Sequence, residues 1–197
     1  MNVNTYIVSD EISHEGLIID CACSDEEEQS RLADYLSAES INLTAAFNTH
    51  LHFDHIFGNQ WLNSTYGLKP IASQMDEDVL DWNKSISLLL PISTQAKMSL
   101  KFNDYLWIEQ QSLPVGQHSF DVIHSPGHSP GSTCLYCKEK HILFDGDVIF
   151  KGALGRTDLW GGDGKMMKIS VDRLLTLPGN TIVFPGHGPQ TTIQNEK

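Results

Sequence analysis

The stretch THLHFDH, residues 49–55, sets His50, His52, Asp54 and His55 close together, with Leu51 and Phe53 between them. Side chains two apart on an extended segment share a face, so His50 and His52 point the same way. Asp54 and His55 fall just beyond, in the first turn of a helix expected over 54–66, and face a second point a few ångströms off. One metal ion takes about four to six ligands, so four candidates in so short a span point to more than one ion. The plain alternative is a polar loop with solvent-facing histidines.

Upstream of the cluster, TAAFN (44–48) reads as a short buried strand that delivers it from its carboxyl end, where folds that layer sheets with helices place their ligand sites. Farther back, NVNTYIVS and EGLIID are extended runs separated by the turn SDEISH, which predicts a hairpin. A helix follows over 25–39, with Ser24 and Glu27 as a capping box and Leu32 and Leu36 on one face. Downstream, 74–83 reads as helix and 84–105 as an insertion of helical pieces. Short strands are expected near 106–108, 119–124, 132–137 and 141–145. Met167, Val171, Leu174 and Leu175 follow helical spacing, Pro178 ends that element, and TIVF (181–184) is the final strand. Strands thus come in two groups, each accompanied by helices, with no Gly/Ser-rich linker and no internal repeat. This pattern predicts one domain over 1–197, of the α/β (α+β) class, as a sandwich of two mixed sheets with helices outside. A doubly wound parallel sheet is the competing layout, and the hairpin-like strands count against it.

Composition narrows the partners. The chain has 197 residues, 40% of them hydrophobic and 19% charged, and no run approaches the roughly 18 apolar residues of a spanning helix. The N-terminus shows no secretory pattern. Cys21 with Cys23 and Cys134 with Cys137 do not space like a secreted disulfide framework, so a reduced, cytoplasmic protein is expected. Net charge is −12, with one acidic run at 25–28, which argues against nucleic acid and leaves a small-molecule substrate.

Three further loops present single ligand types. SPGHSPGS (125–132) sets His128 between two Pro-Gly pairs, FDGD (144–147) puts Asp147 beyond a buried strand, and FPGHGP (184–189) puts His187 after the last one. In each a strand ends, a turn residue bends the chain, and one hard or borderline ligand is offered.

The series THLHFDH, PGHSPGS, FDGD and PGHGP resembles the metallo-β-lactamase fold superfamily of hydrolases, over about residues 3–193. The resemblance implies a four-layer αββα sandwich. It also implies metal ligation by His50, His52 and His128 at one ion and by Asp54, His55 and His187 at a second, with Asp147 bridging and Asp54 and Asp147 catalytic. Two cations about 3.5–4 Å apart lower the pKa of a shared water and polarise a carbonyl, so no protein nucleophile is needed. Two zinc ions are the expected cofactors; iron and manganese suit similar donors.

HIFGN (55–59), GDVIFKGALGRTDLWGGD (146–163) and GHGPQTTI (186–193) look like the short, single-domain glyoxalase II group. That likeness implies hydrolysis of a thioester such as S-lactoylglutathione. The helical C-terminal domain with which larger members grip glutathione has no counterpart in this sequence. Where the family's early strand often ends Asp-Pro-Gly, this chain has Asp20, Cys21 and Ala22. GRTD (155–158) is shared with persulfide dioxygenases, and by that resemblance His50, His128 and Asp147 would hold a single iron. A different hydrolase of the superfamily, or a metal-binding protein without catalysis, are the remaining readings.

Other residues carry weaker signals. Arg156 pairs with Asp158 or Asp163, or else caps a substrate carboxylate. Cys134 and Cys137, three apart in a strand, face opposite sides and are read as ordinary thiols. His14, His118, His124 and His141 lack a ligand context, and Asn59 braces the loop behind the ligands. The insertion, with Leu88, Leu89, Leu90, Met98 and Phe102, offers a substrate-mouth wall, a homodimer contact or a helix packed on the sandwich.

Overall fold

In the computed structural model the described residues are 2–87 and 105–197. In chain order the strands are β1 (Tyr6–Ser9), β2 (Glu15–Ile19), β3 (Asn42–Phe47), β4 (Ile71–Ala72), β5 (Leu106–Trp107), β6 (Ser112–Val115) and β7 (His118–His124). They continue with β8 (Thr133–Cys137), β9 (Ile142–Gly146), β10 (Ile149–Phe150), β11 (Ala153–Leu154), β12 (Ile182–Pro185) and β13 (Thr191–Thr192). The described helices are α1 (Glu26–Ala38), α2 (Asn59–Tyr66), α3 (Glu77–Ser87), α4 (Gly164–Leu174) and α5 (Ile193–Glu196).

Two mixed sheets result. The first has the order β1-β2-β3-β4-β5, antiparallel only between β1 and β2. The second has the order β13-β12-β9-β8-β7-β6, parallel only between β12 and β9.

Period-2 alternation assigns each strand's side chains to one of two cores. Leu17, Ile19 and Phe47 of the first sheet meet Leu113, Phe120, Leu135, Cys137 and Phe144 of the second, and this is the layer between the sheets. On the outer face of the first sheet, Ile18, Leu43 and Ala46 pack with Leu36 of α1 and Leu62 of α2. On the outer face of the second, Cys134, Tyr136, Leu143 and Val183 pack with Met167, Val171 and Leu174 of α4 and Ile193 of α5. Helix, sheet, sheet, helix is therefore the observed order of layers, the αββα sandwich that the resemblance implies. Among the described residues no helix is long and apolar enough to cross a membrane.

Several local expectations shift. The first helix is capped one residue later than expected: Asp25 is the N-cap and accepts from the Glu28 amide at 3.0 Å, while Glu28 reaches back to the Ser24 amide at 2.7 Å. The Ser24–Glu27 box is therefore not the one formed: Asp25 caps the helix, and Glu28 in place of Glu27 accepts from the Ser24 amide. The helix expected over 54–66 is two elements, a single 3₁₀ turn at Phe53–His55 and then α2. Gly58 separates them because its amide bonds the Cys21 carbonyl at 2.8 Å, and a Cβ there would lie 2.2 Å from the Cys21 sulfur. That close approach ties the ligand turn to the end of β2.

TIVF is not the last strand, since β13 pairs antiparallel beside β12. β6 escaped the sequence reading because Pro114 interrupts it; at the edge of the sheet a missing N–H is tolerated. The insertion at 84–105 falls mostly outside the described residues, as do Leu88, Leu89, Leu90, Met98 and Phe102.

Cys134 and Cys137 belong to the outer and inter-sheet cores respectively, as their spacing requires, and all four cysteines are free. Cys137→Ser places a hydroxyl in the inter-sheet layer and is expected to cost about 1–3 kcal/mol in a denaturant titration. Turnover per folded molecule should stay nearly unchanged, and a large loss at equal folded fraction would give this thiol a chemical role.

Candidate metal centre

Every ligand type singled out in the sequence sits just beyond the carboxyl end of a strand. β3 leads into the 48–55 segment, β7 into the loop with His128, β9 into Asp147 and β12 into His187. β7 and β9 both run antiparallel to β8, and β12 is parallel to β9, so these three strands of the second sheet deliver their loops to one end. The structure brings all seven residues together there.

Three imidazoles form a near-equilateral group. Ring centroids of His50, His52 and His128 are 4.8, 4.8 and 4.6 Å apart, and each pair is close to perpendicular. Asp54, His55 and His187 form a second group. Asp147 lies between the two: one carboxylate oxygen is 3.6 Å from His55 Nε2, and the other is 3.5 Å from both His128 Nε2 and His187 Nε2. His187 Nε2 is also 3.6 Å from Asp54 and 3.3 Å from His55 Nε2. Ligand atoms about 2.0–2.1 Å from a tetrahedral cation lie about 3.3–3.4 Å from each other, so these separations suit cation-sized gaps.

The outward ring nitrogens explain which atoms face inward. His55 Nδ1 lies 3.0 Å from Asp20, His128 Nδ1 bonds the Arg156 carbonyl at 2.8 Å, and His187 Nδ1 bonds the Asn2 carbonyl at 2.7 Å. His50 Nδ1 donates to the Thr49 hydroxyl at 3.1 Å, which in turn donates to Asp20 at 2.6 Å. An acceptor on Nδ1 fixes the tautomer that leaves Nε2 as a lone pair. His52 is turned the other way, with its Nδ1 2.8 Å from His128 Nε2. Two lone pairs that close repel unless a cation or proton lies between them. His50 Nε2 and Asp147 Oδ1 are buried with no hydrogen-bond partner in the protein. Orphaned donor atoms of this kind, gathered from both sheets, fit a divalent metal centre.

Asp20, His50 and His55 also come within ligand distance of one another. Both oxygens of Asp20 are already engaged, one with the Thr49 amide at 2.7 Å and the other with the Thr49 hydroxyl and His55, so this carboxylate orients imidazoles from behind.

Electrostatics follow from the same arrangement. Burial, with the neighbouring imidazoles, pushes His50 well below its ordinary value and His52 down to about 2. His128 is also lowered by burial, against the pull of Asp147. Burial acts the same way on His55, but Asp20, then Asp147 and Asp54, outweigh it and lift this ring to about 9. Three imidazoles are therefore held neutral, ready to ligate, and one holds a proton until a cation displaces it.

Further residues organise the centre, of which Asp76 gave no signal in the sequence. Asp76 is fully buried and accepts from the Leu51 amide (3.0 Å), the Ser129 hydroxyl (2.8 Å) and the Gly131 amide (2.5 Å), joining the 49–52 and 128–131 loops. Asn59 donates to Asn48 at 2.9 Å, and Asn48 donates to the His55 carbonyl at 3.2 Å, the bracing expected of Asn59. Gly186 is required before His187, since a Cβ there would lie 2.3 Å from Asp147 Oδ1. Arg156 makes the expected ion pair, with Asp158, at 2.7 and 2.8 Å. Among the described residues, His14, His118, His124 and His141 join no ligand group.

A cavity of about 490 Å³ opens onto the centre. His52, Asp54, His128, Asp147 and His187 line its floor; Phe53, Trp82, Ile86, Phe150, Leu154, Arg156 and Leu159 line its walls. The volume lies within the range of small-molecule sites.

Comparison with known proteins gives a consistent picture. The model of the metallo-beta-lactamase superfamily matches residues 1–187. A probable metallo-hydrolase, YqgX of Bacillus subtilis, is 32% identical over 176 residues, covering 86% of this chain and 80% of the relative. Hydroxyacylglutathione hydrolase GloC of Haemophilus influenzae is 31% identical with the same coverage, 86% and 80%. The crystal structure of TTHA1623 in a di-iron-bound form superposes with a TM-score of 0.81 at 32% identity, over 99% of this chain and 92% of that one.

Because a cation competes with the proton on His55, metal affinity of the metal-free protein is expected to rise with pH up to about 9 and then level off. Loading near pH 7.5 should release a proton, read with an indicator dye, and Asp20→Asn should diminish that release and weaken metal binding about 10–100-fold. Loading without proton release would remove Asp20 from this role.

Proposed function

The chain belongs to the metallo-beta-lactamase superfamily, and we propose that within it the chain is a metal-dependent hydrolase of thioesters, of the hydroxyacylglutathione hydrolase kind. The observation that supports this most is the pair of ligand groups joined through Asp147 at the floor of an open cavity. The similarity to GloC over most of both chains supports the thioester class.

In this reading His50, His52 and His128 would hold one divalent cation and Asp54, His55 and His187 a second, with Asp147 shared between the two groups. Bound there, such cations supply Lewis acidity and make water a nucleophile near neutral pH. The protein's own residues do the rest. Asp54 and Asp147 face the cavity and orient the attacking water by accepting its hydrogen bonds. Asp20 and Thr49 keep His50 and His55 from rotating, and the Asn2 carbonyl does the same for His187. The apolar walls limit water around the scissile bond.

Hydrolysis adds water across the C–S bond, yielding an acid and a thiol. The leaving group decides between reaction classes. Among the described residues that line the cavity, the Asp and His side chains are all ligand candidates (His52, Asp54, His128, Asp147 and His187), and there is no Lys, Tyr or Cys to protonate a departing amine or alkoxide. Thiolate leaves without such an acid.

Zinc is the metal we assign first, since neutral imidazoles with carboxylates suit it. Iron and manganese suit the same donors, and TTHA1623 was solved with two irons.

Metal-analysed protein incubated under air with S-lactoylglutathione is expected to release free thiol without consuming oxygen. No release, together with oxygen uptake on glutathione persulfide, would move the site to a single-iron oxygenase. Asp147→Ala is expected to lose most activity and metal, by more than the roughly 10–100-fold typical of an outlying partner. A variant that keeps both would end the bridging assignment.

A further inference from the structure

Leu51 stands between the ligands His50 and His52, and both of its peptide groups are fastened to one part of the fold. Its amide donates to Asp76 at 3.0 Å, and its carbonyl accepts from Asn83 Nδ2 at 2.7 Å. Asp76 closes the 3₁₀ turn Gln74–Asp76 that runs into α3, and Asn83 lies about two turns further on. Trp82, beside it, sets its ring 5.5 Å from the ring of His52. The residue that spaces two imidazoles is thus held on both sides by α3 and its entry turn.

Asp76 reaches the third imidazole as well. The oxygen that takes the Leu51 amide also takes the Ser129 hydroxyl at 2.8 Å, and the other oxygen takes the Gly131 amide at 2.5 Å. Ser129 and Gly131 belong to the turn that presents His128, and a Cβ on Gly131 would lie 2.7 Å from the Asp76 carboxyl carbon. The Thr133 amide bonds the Thr49 carbonyl at 2.8 Å, which joins the same two segments farther from the ligands. Asp76, Leu51 and Ser129 are each completely buried, so solvent does not replace a bond that is lost.

The second group has other supports. His55 leans on Asp20 and His187 on the Asn2 carbonyl, and neither bond involves Asp76 or α3. We infer that Asp76 is a positioning residue for the ion of His50, His52 and His128 alone, so that the two ligand groups can be weakened separately. The inference rests on the two-group reading of the centre and adds how one group is held.

The test is zinc affinity, measured without substrate by competition with a chromophoric chelator on variants that keep a native near-ultraviolet circular dichroism. His187→Ala leaves the first group to be read and His52→Ala the second, and Asp76→Asn is added to each. In Asp76→Asn an NH2 group replaces one acceptor oxygen and meets a backbone N–H, of Leu51 or of Gly131, whichever way the side chain turns. With His187→Ala, zinc is expected to bind about 10–100-fold more weakly after that change; with His52→Ala, the loss should stay below about threefold. Cobalt(II) should change its visible absorption bands, which follow ligand geometry, in the first background and keep them in the second. Equal weakening in both backgrounds would make Asp76 a general brace of the fold and overturn the inference, as would no weakening in either. Should Asp76→Asn fail to fold, Ser129→Ala, which removes one bond of the three, is read in its place. A loss of about threefold or more with His187→Ala and none with His52→Ala then supports the inference, and any other pattern overturns it. A failed thioester assay leaves the inference standing, whereas a chain that takes up neither zinc nor cobalt overturns it together with the metal-centre reading.

Discussion

The arrangement of the centre depends on one buried carboxylate. Asp20 ends β2 with φ +51°, a left-handed conformation that Asp tolerates better than most residues. Turned there, it accepts from the Thr49 amide and hydroxyl and from His55, and through Thr49 it reaches His50. One side chain thereby sets the tautomer and direction of two imidazoles that belong to different ligand groups. Because Asp20 directly follows β2 and its amide bonds the Phe47 carbonyl of β3, the two groups keep their spacing as long as β2 and β3 stay paired.

Burial does the complementary work. A cluster of imidazoles in water would titrate near neutrality, each ring half protonated and poorly disposed to bind a cation. Here the two sheets enclose the rings, and the cost of burying charge keeps His50, His52 and His128 neutral. His55 is the exception because three carboxylates surround it. The seven residues therefore combine three neutral imidazoles with one protonated ring, His55, and the carboxylate of Asp147 lies beside both His55 and His128. An apolar core on either side of each sheet holds this geometry without any disulfide among the described residues.

The ligand types were legible in the sequence because chemistry restricts them to a few residues and because tight loops present them one at a time. The layered fold was legible for a related reason: strands such as TCLYC and EGLII are short apolar runs buried along nearly their whole length, as strands covered on both faces are. What the sequence hid acts at a distance. Asp76 and Asn2 are common polar residues that no local pattern marks, and Asp20, though it matches the Asp of the family's early-strand motif, gave no sign of its contact with His55; all three act only on segments far along the chain. Two-residue strands such as β4 and β13 are too short to show a period, and β6 is masked by its proline. The helix expected across 54–66 failed where Gly58 meets Cys21, again a contact between distant segments.

The hydrogen bond from His187 to Asn2 joins residues 185 positions apart, and Asn4 adds bonds to Pro185 and Gly188 in the same loop. The β1–β2 hairpin and the His50–His55 turn are local in sequence, whereas their contacts with the His187 loop join distant segments of the described chain. The centre therefore depends on long-range pairings, the kind that form slowly in folding. Until that contact forms, a cation would meet an incomplete set of ligands, so a stable centre and a docked His187 loop are expected to appear together.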